Sequence, residues 1–292
     1  MIATRVARLL LLAGAAVFCW WLLPAATVAQ QQPPRQPSQG PGQTPGPGRG
    51  RAARGPSKPT PRLASGRVNL GAPAGESGFW GGGGSIVGKR GGSLPTNYET
   101  GEVPFQPWSR ALYDVRLKQG EKDDPHARCL PPGGPRQFQT PNGFEFIEQP
   151  DRKRITIIFG GGPRSWRFIY LDGRPLPKLD DPDLIPTYFG YSTGRWEGDT
   201  LVVESTGYNE KFWFLRGGLP HTDALHLTER FSRPDFDTLK YEVTVDDPKA
   251  YTRPWNGGFT VPWTYSNWDG SPGGEIHEYF CQDNERDYSR LR

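Results

Sequence analysis

After its first 29 residues the chain has no apolar run long enough to cross a bilayer, which argues against a helical membrane protein of several spans. Cysteine is scarce, at three residues. No Gly-x-Ser-x-Gly elbow, catalytic cysteine or dinucleotide fingerprint occurs, so the common signatures of a hydrolase or a nicotinamide enzyme are missing. Acid is nearly absent from one long stretch. Between Gln30 and Gly92 stand Arg35, Arg49, Arg51, Arg54, Lys58, Arg62, Arg67, Lys89 and Arg90, against Glu76 alone. These bases have no interleaved aromatics, and nothing in them points to nucleic-acid recognition. The remainder of the chain is mildly acidic.

The leader carries the one long apolar run. Arg5 and Arg8 precede Leu9–Leu23, Pro24 breaks the helix, and Thr27-Val28-Ala29 presents small residues at a cleavage site before Gln30. This reads as a signal peptide over 1–29, and hence as an exported, periplasmic or extracellular protein. The alternative is an uncleaved anchor, since Leu9–Val28 is about 20 residues, near the minimum for a span. Cleavage removes Cys19 and leaves Cys129 and Cys281. In an oxidising compartment that pair is a disulfide candidate, joining the start of the domain to its end and stabilising by roughly 5 kcal/mol at best. Two unpaired buried thiols are the alternative.

Gln30–Pro61 is nearly all Gln, Pro, Gly, Ser and Arg, and glycine dominates as far as Gly92. Such composition buries too little apolar surface to offset chain entropy, so 30–93 reads as a basic, disordered linker. It is either a solvated tether or a weak contact for anionic envelope polymers and lipid headgroups.

The residues 94–292 read as a single, mainly β domain. Pro107–Leu117 predicts one helix, with proline at its start, Gly120 after its end, and Trp108, Leu112 and Val115 on the face expected to pack on the sheet. From there the period is two. Strands are expected at 144–148, 154–159, 165–171, one ending at Trp196, 200–204, 225–232, 238–246, 259–268 and 275–281. Glu197-Gly198-Asp199 is a tight hairpin turn. The pattern predicts an antiparallel meander, curled or closed as a lipocalin-like up-and-down barrel of about eight strands. Whether the polar strand faces look to solvent or to a lumen is open at this stage.

Candidate chemistry gathers in a few places. His221, Asp223, His226, Glu229 and Arg230 form a polar stretch that reads as a metal site, a hydrogen-bonded network or a catalytic set. On a strand His226 and Glu229 point to opposite faces, which disfavours a simple metal site, and no metal or cofactor is expected. The connection 207–224 is long for a meander and carries Phe212 and Trp213, as a plug for one barrel end or a lid over a pocket. With Trp166, Tyr170 and Trp196 these are the candidate ligand-binding aromatics, although aromatics are also ordinary β core.

Four segments, Asp124–Arg136, Gly194–Val203, Pro220–Arg230 and Asp246–Trp255, resemble a family of uncharacterised secreted proteins of acidobacteria and proteobacteria. The resemblance spans about Pro104 to Asp287 and implies an exported single domain. It carries no activity and no catalytic residue. The residues favour a monomeric exported barrel that binds a small apolar or amphipathic molecule. The alternatives are a hydrolase or lyase using His221, Asp223 and His226 at the barrel mouth, and a structural envelope protein without a pocket.

Overall fold

A computed structural model describes residues 57–82, 84–87, 102–120, 122–140, 142–162, 165–266 and 273–277. The expected leader, the tail up to 56 and Cys281 lie outside the described residues. Among the described residues no helix is long and apolar enough to cross a membrane.

Nine strands hydrogen-bond in sequence order and close into a ring. They are β1 (Phe79–Trp80), β2 (Phe144–Gln149), β3 (Arg154–Phe159), β4 (Trp166–Tyr170), β5 (Tyr191–Glu197), β6 (Thr200–Thr206), β7 (His226–Asp235), β8 (Thr238–Asp246) and β9 (Trp255–Thr264). The two-residue alternation decides which side chains fill the interior. Ile155, Ile157 and Phe159 of β3, Leu227 and Phe231 of β7, and Leu239, Tyr241, Val243 and Val245 of β8 are buried. Their neighbours Thr228, Arg230, Lys240, Glu242 and Thr244 are half-buried on the outer face. The apolar side therefore lines the lumen.

Aromatic rings occupy that lumen. Phe138, on a 3-10 turn (Gly134–Gln139), meets Phe144 at 4.9 Å, Tyr241 at 5.1 Å and both Phe159 and Phe231 at 5.4 Å between ring centroids. Phe231 continues to Phe146 at 5.3 Å, and Tyr241 to Phe259 at 4.9 Å. These contacts, several of them edge-to-face, form a connected core across the ring of strands.

Four expectations are corrected. First, the glycine-rich stretch expected to be linker supplies β1, which pairs with both β2 and β9 and so closes the ring. Composition misled here because glycine permits close approach as well as disorder. A Cβ at Gly84 would sit 1.9 Å from the Phe259 ring, so only glycine lets that backbone lie against β9. Val68, Leu70, Trp80, Ile86 and Val87 are buried, and the ordered part begins well before residue 94.

Second, the meander has one parallel joint. β4 pairs with β5 in the parallel sense (Ile169 opposite Ser192), because the proline-rich connection 171–190 runs back along the barrel before β5 begins. Third, the strand expected at 259–268 starts earlier, at Trp255, and residues 275–277, the described part of the expected 275–281 strand, have no regular structure.

Fourth, the helix α1 (Pro107–Gln119) forms as predicted and ends at Gly120 with φ 66°, but it turns the other way. Ser109 and Tyr113 are buried, while Trp108 and Val115 are about half exposed. The buried face is set by Ser109, whose hydroxyl donates to the Ala250 carbonyl, and by Tyr113, which stacks on Phe105 at 5.4 Å.

Candidate functional site

Two charges sit inside the barrel. Arg167 shares the inward parity of β4 with Ile169, and Glu229 lies between Leu227 and Phe231 on β7. Both are buried, and the guanidinium grips the carboxylate with two hydrogen bonds, Nη1 to Oε1 at 3.0 Å and Nη2 to Oε2. Arg167 Nε also donates to Ser192 Oγ (3.0 Å) and Nη2 to Ser205 Oγ (3.2 Å). The Tyr241 hydroxyl donates to Glu229 Oε1 (2.9 Å), and Ser205 Oγ bonds the Tyr208 hydroxyl (2.6 Å). Burial opposes the charge on Arg167, but the adjacent Glu229 carboxylate outweighs it and holds the guanidinium pKa above its ordinary value. Burial, reinforced by Glu229, pushes the phenols of Tyr241 and Tyr208 up. The set is charged, buried and mutually hydrogen-bonded.

The sequence-predicted catalytic residues do not converge. Glu229 is in this interior pair. His226 lies on the outer face of β7, half-exposed, 3.9 Å from Glu204, and the opposite-face argument for His226 and Glu229 holds. Arg230 is also outside, in a surface ladder with Glu197 (3.0 Å), which in turn binds Arg195. Asp223 is exposed and pairs with Lys249 at 2.7 Å. His221 is buried between the rings of Phe212 and Phe214, at 4.0 and 5.0 Å between centroids. Its Nε2 lies 3.1 Å from the Phe212 carbonyl and its Nδ1 3.3 Å from that of Thr222. Burial lowers its pKa to about 4, so it is neutral at pH 7. Among the described residues no group of three or more His, Cys, Asp or Glu lies together as metal ligands would.

The five candidate ligand-binding aromatics are equally divided. Trp166 and Tyr170 face outward on β4, Trp166 being 52% exposed. Trp196 packs partly on the core, with the Arg67 guanidinium 5.2 Å over its ring. Phe212 and Trp213 are buried in the long connection 207–224.

That connection gathers three of the four segments noted in the sequence. Asp124 and Arg136 form a buried bidentate pair (2.8 and 2.6 Å). Gly133, at φ 68°, lies against Phe212, where a Cβ would come within 2.5 Å of the ring. Asp247 accepts from Thr222 N (2.6 Å) and Thr222 Oγ1 (2.7 Å), and the Tyr251 hydroxyl donates to the Pro220 carbonyl. Cys129 caps the 3-10 turn Pro125–Arg128 in the left-handed region.

Sequence reasoning missed Arg167 and Tyr241 as partners of Glu229, and Ser192, Ser205 and Tyr208 behind them. A signal was present: Arg167 and Glu229 each occupy an apolar-parity position of a strand, and opposite charges on two inward faces need each other. It also missed Arg233, which is buried against Trp80 and Trp263 (both 4.7 Å to the ring centroid). Its N–H groups donate to the carbonyls of Asn69 (2.8 Å), Gly71 (2.9 Å) and Phe236 (2.7 Å).

These features define a class: a closed, mainly β ring of nine strands with an ion pair in its core. Compared with protein-family models, with curated proteins and with solved structures, the chain matches none.

Proposed function

We propose that this chain is an exported, non-catalytic barrel of the bacterial envelope, whose interior is structural core and whose working surface is on the outside. The observation that carries this reading is the closed interior set, in which Arg167, Glu229, Tyr241, Ser205 and Ser192 bond one another beneath a connected layer of rings. A general acid or base needs a reachable proton, and an ion pair satisfied on all sides offers none. Export is supported by the leader 1–29, and in that setting Cys129 pairs with Cys281. Native mass spectrometry of the mature protein tests the reading. It should show the mass of the chain alone, two hydrogens lighter than the fully reduced form. A small molecule retained in stoichiometric amount would overturn it.

A second reading, binding of a small amphipathic molecule within the barrel, is favoured by two polar atoms. Gln137 Oε1 and Trp196 Nε1 are buried without a hydrogen-bond partner among the described residues, and such atoms attract a ligand's polar end. Loss of a co-purifying mass on Gln137→Leu would support this reading over the first.

A further inference from the structure

The outer face of β2–β4 differs from the rest of the barrel wall. Register places Ile158 opposite Trp166, Thr156 opposite Phe168 and Arg154 opposite Tyr170, with Ile147 beside Thr156 on the next strand. The intervening residues Ile155, Ile157, Arg167 and Ile169 are buried inward, so the whole set Ile147, Ile158, Trp166, Phe168 and Tyr170 points out. Trp166 is 52% and Ile147 38% exposed, and Phe168 and Tyr170 are half-buried. A solvated β face normally alternates apolar-in with polar-out, and here Ile147, Ile158, Trp166, Phe168 and Tyr170 stand on the outward side among Glu145, Gln149, Arg154 and Thr156.

Cations border this face. Arg152 and Lys153 are exposed at the tip of the β2–β3 hairpin, and Arg154 follows on the same edge. The Arg154 guanidinium lies 4.2 Å over Phe168, and that of Arg174 3.7 Å over Tyr170. Arg174 binds Asp172, whereas Arg154, among the described residues, bonds the neutral Gln149 side chain at 2.6 Å. The nearby acids are Glu145, Asp151, Asp172 and Glu275, and burial, with Glu275 beside it, raises the pKa of Glu145.

Building on the outward-acting reading, we infer that this face docks on an anionic lipid bilayer. Isoleucine and tryptophan enter the boundary between headgroups and acyl chains, and the flanking cations attract lipid phosphates. Isoleucines have no flat face to stack on a sugar, which favours lipid over an envelope glycan. The mature chain, basic tail included, is sedimented with vesicles of phosphatidylcholine alone and with vesicles containing phosphatidylglycerol. Binding is expected to the anionic vesicles and to weaken with salt. Arg152→Gln with Lys153→Asn should weaken it about 25-fold, at roughly fivefold per cation. Trp166→Ser should weaken it roughly tenfold through lost apolar contact. All three changes lie at exposed positions and leave the core untouched.

Wild-type affinity in these variants would assign the contact to the tail and overturn the inference, as would equal binding to neutral vesicles or no binding at all. Those outcomes leave the closed-core reading standing, because that reading fails only on a retained ligand. A retained ligand with intact vesicle binding would refute the reading and spare the docking face.

Discussion

Arg167 and Arg233 are both buried, yet their surroundings differ in kind. Arg167 faces a carboxylate and hydroxyls, and its pKa rises. Arg233 faces backbone carbonyls and aromatic rings; burial dominates, and its pKa falls to about 10. The first arginine joins β4 to β7 across the lumen. The second ties β7 to the segment around Asn69–Gly71, which precedes the strands of the ring. A buried guanidinium can thus be stabilised by one full opposite charge or by several partial ones. Only the former creates a pair whose members depend on each other.

Mutations separate the two cases. The largest expected effect is at the pair, where Glu229→Leu or Arg167→Met leaves an uncompensated charge or carboxylate in the core and costs about 3–5 kcal/mol, read as a urea midpoint. Arg233→Met strands three carbonyls and should cost about 3 kcal/mol. It should also expose residues 57–82 to limited proteolysis, whereas the Glu229 variant should show no selective cleavage there. Equal proteolysis patterns would remove the distinction.

His221 gives a comparable effect that depends on pH. Its folded pKa of about 4 lies below the ordinary 6.5, so the unfolded chain takes up the proton first as pH falls. Stability present above pH 6.5 is therefore lost between 6.5 and 4, by about 3 kcal/mol. Relative to wild type, His221→Asn should flatten this part of the stability profile. An unchanged slope would show that the ring is not held neutral. The smallest effect belongs to Val115→Ser on the outward face of α1, expected within about 0.5 kcal/mol. A loss of 2 kcal/mol or more would mean that this face is packed after all.

Much of the fold was legible because a two-residue repeat has few interpretations. β3 and β8 fall where the alternation places them, at 154–159 and 238–246. The closing strand was not legible, since Phe79-Trp80 sits in a glycine run whose composition matches disorder, and its partners are distant in sequence. The helix face was misread for a related reason. Trp108 and Val115 have helical spacing, but the side chains that anchor α1, Ser109 and Tyr113, answer to loop 247–251 and Phe105 rather than to the sheet. The candidate site was legible in part. Glu229 was among the residues singled out, but its direct partners come from β4 and β8, and the groups behind them from β5, β6 and the turn after β6, a convergence that no local motif announces. His221, Asp223, His226 and Arg230 are neighbours in sequence and scatter in space, because a loop and a two-sided strand separate them.

The central claim is that Arg167 and Glu229 form one mutually dependent structural unit, and a double-mutant cycle tests it most directly. With stabilities measured by urea denaturation, Arg167→Met together with Glu229→Leu should be less destabilised than either single variant, because the pair leaves no orphaned charge. Losses that simply add would contradict it.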